Sequence, residues 1–317
     1  MKGIVQSKRM HLRKCRWAHA ISTLVGWLAI ACASAQPVYD DFLGGLDPQL
    51  GWSWAVPGNA PANTLDSSRV GFTSDALRIT AQGGTLYQNL NNLRNLPSVS
   101  VPALRGAWSI ETRVRLQRNG LSPAYLQAGL ILFRDANHYF NLHLVYLPDQ
   151  NNWLSVSGGH EWNGVYQWAG LSGIVWNPAS GDTVRLLIRY EPDTERVRFF
   201  YDREDGAYWR EMTGSPRVIT DVPVLQTIAQ SGGQIGVYID TAGGTGSPSP
   251  VATFDYLQIL SDYHPADVNQ DGIVDDADLL AVLFQFGARR CNLPADVTRD
   301  GIVDDADLLE VLFAFGS

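Results

Sequence analysis

Beyond residue 35 the chain contains no lysine and a single cysteine, Cys291, and each shortage excludes something. One thiol cannot form an intramolecular disulfide, so the fold must be held without covalent staples. With lysine gone, the remaining cations are arginines, outnumbered by 32 acids, and the net charge of this part is about −14. A surface of that sign excludes nucleic acid as a partner. Long apolar runs are missing too, which excludes a transmembrane helix in the mature chain.

The first 35 residues differ in kind. Lys2, Lys8, Arg9, Arg13, Lys14 and Arg16 precede an apolar run from Trp17 to about Ile30, followed by Ala33-Ser34-Ala35. That order predicts a signal peptide over residues 1–35, a mature chain starting at Gln36, and a secreted or cell-surface bacterial protein. Cys32 offers a second reading, a lipoprotein anchor.

The chain ends in a duplication. DVNQDGIVDDADLLAVLFQFG from Asp267 returns 29 residues later as DVTRDGIVDDADLLEVLFAFG from Asp296. The first copy fits the loop pattern of oxygen-ligated Ca²⁺, with Asp267, Asn269, Asp271, the carbonyl of Ile273, Asp275 and Asp278 as donors and Gly272 at the tight turn. The second supplies Asp296, Thr298, Asp300, Ile302, Asp304 and Asp307. Two ions are expected, the second held more weakly because Thr298 replaces Asn269. Pro265 leaves no room for a helix before the first loop, and Gly287 and Pro294 punctuate the spacer. Loop plus exiting helix, twice, resembles the type I dockerin module of cellulosome-type proteins. The resemblance implies folding around Ca²⁺ and docking to a cohesin-like or cell-surface partner. Where the family often reads its partner with Ser/Thr pairs, this chain has Asp276 with Ala277 and Asp305 with Ala306. Leu279, Leu280, Val282, Leu283, Phe284 and Phe286, with their repeats, cover more than one helical stripe, which serves either mutual packing or docking.

Between the ends, apolar residues alternate. ETRVRL, YLQAGLILF, YFNLHLVYL, TVRLLIRY, RVRFFYD, QIGVYID and TFDYLQIL read as strands, and no stretch of comparable length shows a helical period. The expected fold is mainly β, a two-sheet sandwich over 36–260, then a linker over 261–266 and a small α calcium-loop domain over 267–317. YDDFLGGLDPQLGWSW, QAGLILFRDANHYFNLHL and ATFDYLQIL resemble concanavalin A-like jelly-roll sandwiches, particularly the module appended to bacterial β-xylosidases. Such sandwiches serve as lectins, hydrolases or accessory modules. The resemblance also suggests Asp41 and Asp255 as holders of a third, structural cation, with capping or turn roles as the alternative.

Eight tryptophans lie in this body. Period two along YFNLHLVYL puts Tyr139, Asn141 and His143 on one face and Phe140, Leu142 and Leu144 on the other, and Gln127 extends the polar face. With Trp153, Trp162 and Trp168 they form a candidate platform for polysaccharide or glycan; core packing is the alternative for each tryptophan. For catalysis, the E-x-D-x-E strand of related glucanases is absent, and Glu111 lies beside Arg113 and Arg115, which favours cross-strand ion pairing. Glu161 beside His160, in an aromatic loop, is the best candidate acid. The sequence therefore favours a carbohydrate-binding protein anchored by its calcium module, with a glycoside hydrolase and a structural envelope protein as alternatives.

Overall fold

All seven alternating stretches form strands, because a pleated backbone sends successive side chains to opposite faces and only period two segregates apolar from polar. The computed structural model describes residues 38–58, 64–104, 106–119, 125–206, 208–242, 248–261, 266–269, 274–289, 293, 295–298 and 302–316. Its strands are β1 (Val38–Asp40), β2 (Val70–Phe72), β3 (Leu77–Thr80), β4 (Ser98–Val101), β5 (Trp108–Gln117), β6 (Leu126–Asp135), β7 (His138–Leu147), β8 (Trp153–Trp162), β9 (Val165–Ser172), β10 (Thr183–Glu191), β11 (Arg196–Asp202), β12 (Arg210–Glu211), β13 (Arg217–Val218), β14 (Gly233–Asp240) and β15 (Val251–Ser261). One sheet runs β12-β11-β10-β5-β15-β3-β2, with β1 beside β15 and β13 beside β11; the other runs β4-β14-β6-β7-β8-β9.

The sheets face each other across one apolar core. Ile110, Val114, Leu186, Ile188, Phe199 and Phe254 from the first meet Leu130, Leu132, Phe140, Leu142, Val156 and Val237 from the second. Phe140 and Phe199 touch across the gap with ring centroids 5.3 Å apart. Outside the first sheet the charges pair off. Arg113 binds Glu204 and Asp255, and Arg185 binds Asp202 and reaches Glu111 at 3.8 Å. The cross-strand pairing expected for Glu111 is therefore what the register produces.

One expectation needs correction: the sandwich does contain a helix, α1 (Pro223–Ser231). Pro223 occupies its first turn, where a missing N–H costs nothing, and Val224, Leu225 and Ile228 are buried. Val224, Leu225 and Ile228 do fall at helical spacing, but over only nine residues, too short a window for the period to stand out from the strands around it.

The duplicated segment forms α2 (Asp276–Gln285) and α3 (Asp305–Phe313), one after each loop. They close over their own small core of Val268, Val274, Val282, Val297, Val303 and Val311. Gly287 and Gly316, both left-handed at φ 81, end the helices. Their N–H groups are exchanged between the copies, Gly287 to the carbonyl of Val303 (2.8 Å) and Gly316 to that of Val274 (2.9 Å). Phe284 and Phe313 stay 86% and 83% exposed, so mutual packing accounts for only part of the apolar surface. The segment 262–265, where no preceding helix was expected, lies outside the described residues.

The N-terminal edge hangs on Asp40. Its buried carboxylate accepts from the N–H of Phe42 (2.7 Å), the N–H of Asp47 (2.8 Å) and the indole of Trp52 (2.9 Å). Asp40→Ala leaves three donors unsatisfied and should lower unfolding free energy by roughly 2–4 kcal/mol; urea denaturation checks this, and a loss below about 0.5 kcal/mol contradicts it.

Candidate functional site

The pleat of β7 acts as expected on one side. Phe140, Leu142 and Leu144 face the core between the sheets. Tyr139, Asn141 and His143 occupy the opposite face, and there the expectation of an open working surface fails, since each is only 3% exposed. The reason is a second apolar layer: Val56, Leu86, Leu93 and Leu96 cross that face and pack on Ile131, Phe133, Tyr139 and Tyr238. Gln127 lies on the same side in register with Val145 and Asp240, and it is half-buried.

Polar groups under this cover bond to one another. Asn141 donates to the hydroxyl of Tyr238 (2.9 Å) and accepts from the N–H of Gly159 (3.1 Å). Glu161, with no exposed surface, accepts from the N–H of Gln88 (2.6 Å) and from the hydroxyl of Tyr139 (3.3 Å). Its Oε1 and the Nδ1 of His143 are buried without a hydrogen-bond partner. Burial pushes the Glu161 carboxyl up and drives His143 down to about 3, so the imidazole is neutral at pH 7.

The sequence reading missed Asp240. It takes the hydroxyl of Thr85 (2.7 Å) and the N–H of Ala242 (2.6 Å), and burial raises its carboxyl to about 6. The signal was present: in QIGVYID, Asp240 shares the outward parity of Tyr238. Glu161 and Asp240 lie three strands and six residues apart in the register, yet the segment 85–88 links their carboxyls: Asp240 takes the hydroxyl of Thr85, which accepts the N–H of Tyr87 (3.0 Å), and Glu161 takes the next N–H, that of Gln88.

Residues 151–168 are not a loop but the hairpin of β8 and β9, turned by Asn163 and Gly164 at φ 55 and 73. Two consecutive positive φ angles make this a two-residue primed turn, which Asn-Gly favours. His160 and Glu161, neighbours in sequence, therefore point to opposite faces and do not act together. The tryptophans are dispersed by the same geometry. Trp153 and Trp162 sit at opposite ends of β8, roughly 30 Å apart. Trp162 packs on the core and meets His138 edge-on at 4.9 Å, whereas Trp168 is 63% exposed with its indole donating to the Ser157 hydroxyl (3.2 Å). Of the proposed platform, Trp153 and Trp168 are exposed, and they do not share it with Tyr139 or His143.

Gly159 permits one further feature. A Cβ there would run into the ring and hydroxyl of Tyr166, which lies across the strand.

In the duplicated module, Asp271, Ile273 and Asp300 lie outside the described residues. Asp267 and Asp296 are buried, and Asp278 and Asp307 fully so. Asp278 accepts from the N–H groups of Asn269 (2.7 Å) and Asp275 (2.9 Å), and Asp307 from Thr298 and Asp304 (both 2.8 Å). Asp275 and Asp304 cap α2 and α3. Ile302 is half-buried at the edge of the second loop. Oxygen donors of the kind a hard divalent cation takes are thus buried and repeated in register, but among the described residues no three acidic or imidazole side chains are gathered closely enough to hold a metal ion. The third candidate site fits poorly: Asp255 is neutralised by Arg113, and Asp41 caps the N–H of Leu43 (3.1 Å).

No protein-family model matches the chain, and no curated protein matches it. Solved structures do. Xylan β-1,4-xylosidase from Bacillus halodurans C-125 superposes with TM-score 0.50 and 19% identity, over 71% of this chain and 39% of that one. The shared feature is the sandwich fold. A GH43 glycoside hydrolase engineered to display both endo-xylanase and exo-arabinofuranosidase activity gives TM-score 0.50 and 14% identity over 72% and 41%. A bifunctional GH43-CE protein of Bacteroides eggerthii gives 0.50 and 14% over 75% and 27%. The chain thus spans less than half the length of these enzymes.

Asp240 and His143 should oppose each other with pH. Asp240 is raised, so the folded state binds the extra proton and stability falls as pH rises from about 4 to 6; His143 is lowered, so stability is lost as pH falls below about 6.5. Asp240→Asn should remove the first effect. The difference from wild type should change by roughly 2–3 kcal/mol between pH 4 and 6, measured by denaturant titration; a flat difference contradicts the burial assignment.

Proposed function

We propose that the protein works on polysaccharide outside the cell. The likeness of its sandwich to those of GH43 enzymes, one a xylan xylosidase, is the observation that supports this reading. Those neighbours favour O-glycosyl hydrolysis as the finer reading. In that role Glu161 is the acid, since burial holds its carboxyl toward the protonated form needed to donate to a leaving oxygen. Reaching it requires the segment around Gln88 to move aside. A second reading, binding without cleavage, is favoured by the closed position of Glu161 and the exposed Trp168.

Sugar release from xylan and arabinoxylan, followed beside a pull-down on the same polysaccharides, separates them. Hydrolysis predicts reducing ends from the wild type and at least a hundredfold loss in Glu161→Gln with binding retained. Retention on polysaccharide with no release supports the binding role. The absence of both retention and release contradicts the proposal.

The duplicated module is proposed to bind two calcium ions in a dockerin-like manner and to hold the sandwich to a cohesin-like or cell-surface partner, after secretion directed by the leader or anchoring at Cys32. The buried Asp278 and Asp307 support the ion. When bound, Ca²⁺ supplies the positive charge that lets four carboxylates share a loop, and the residues themselves set the loop's shape through their backbone hydrogen bonds. Calcium at a hundredfold excess over its dissociation constant should stabilise the module by about 2.7 kcal/mol per site. Calorimetry of the full chain in chelator and in calcium reads this; an unmoved profile contradicts it.

A further inference from the structure

The open edge of the sandwich, where β9 meets the segment 217–222, holds a cleft of about 230 Å³ lined by His160, Trp168, Gly170, Arg217, Asp221 and Val222. It is smaller than the roughly 300–1,000 Å³ of sites for drug-sized ligands, so it suits one ring rather than an oligomer.

The cleft is built around Arg217. Its guanidinium donates to the carbonyl of Ala169 (2.7 Å). Gly170 and Gly214 lie against it in left-handed conformations, φ 67 and 86. A Cβ on Gly170 would stand 2.8 Å from a guanidinium nitrogen, and one on Gly214 would strike the Gly170 carbonyl. Two backbone positions open to glycine alone thus seat one arginine, whose remaining donors have no carboxylate within ion-pair distance among the described residues. Asp221 shares the cleft at its exposed rim without pairing with Arg217.

Two side chains shape what the cleft can take. His160 is 8% exposed, lines the cleft, and keeps Nδ1 buried with no hydrogen-bond partner. With that atom out of solvent contact, His160 contributes its ring as a wall of the cleft. Trp168 stands at the mouth, 63% exposed yet held by its bond to Ser157. A fixed, exposed indole is a flat apolar surface for the C–H face of a sugar.

We propose that this cleft is a subsite for a single uronic acid residue of an acidic glycan, stacked on Trp168, with its carboxylate paired to Arg217 and a hydroxyl bonded to Asp221 at the rim. The guanidinium fork matches a carboxylate in geometry as well as charge. The assignment rests on the polysaccharide reading and adds the charge and place of the sugar.

Methyl β-D-glucuronide and methyl β-D-xyloside differ only in the carboxylate on C5. Titrated against the full mature chain in calcium, with ligand-observed NMR and calorimetry, the glucuronide should bind at least about tenfold more tightly. Arg217→Gln should abolish that preference while leaving xyloside binding unchanged, and Trp168→Ala should weaken both. Arg217→Lys keeps the charge but not the fork and should retain only part of the preference, which guards against a Gln variant that fails to fold. Equal affinity for the two glycosides, or a preference that survives Arg217→Gln, overturns the uronate assignment and leaves polysaccharide association standing. Failure of both glycosides and of xylan in the pull-down overturns both.

Discussion

Strands β6 and β7 are buried on both faces, and most of the molecule follows from that. The inner face is closed by the first sheet in the usual way of a sandwich. The outer face carries Asn141, His143 and, through β8 and β14, Glu161 and Asp240, yet Leu86, Leu93 and Leu96 lie over it. Polar groups removed from water on both sides must be satisfied by one another or cost several kcal/mol. Asn141 and Asp240 meet that demand; Glu161 and His143 each leave an atom over. Double burial also displaces accessible chemistry to the margins. The exposed Trp168 and the fixed Arg217 stand at the β9 edge, where the covering layer ends.

How much of this the sequence revealed depends on the range of the interaction. Strand positions were legible because alternation is local, and the division of β7 between Phe140 and Asn141 came directly from it. That the Asn141 side would be covered was not legible, since the covering residues lie some 50 positions earlier and carry no pattern. The hairpin of β8 and β9 is legible in the sequence, because Asn163-Gly164 is a strong turn signal between two alternating runs, even though the stretch is rich in tryptophan. Reading His160 and Glu161 as partners fails there, because a single pleat separates them. Arg217 lay beyond sequence reasoning, because its seat is made by glycines 47 and 3 residues away that meet only in the fold.

The scarcity of lysine shapes the outside of the first sheet. Every cation there is an arginine, and a planar fork can bridge two carboxylates at once, as Arg113 does between Glu204 and Asp255. Exposed pairs of this kind contribute only about 0–1 kcal/mol each. Their larger effect is to occupy acids that would otherwise stand ready for a metal or for catalysis, which is why Glu111 and Asp255 are engaged in structure.

The exchange of hydrogen bonds between Gly287 and Val303, and between Gly316 and Val274, gives the duplicated module the logic of a dimer joined on one chain. Each half ends its backbone pairing on the other, so neither is a folding unit. The short spacer keeps the halves at an effective concentration near millimolar, turning an encounter between molecules into a closure within one. Order gained in one half is then passed to the other.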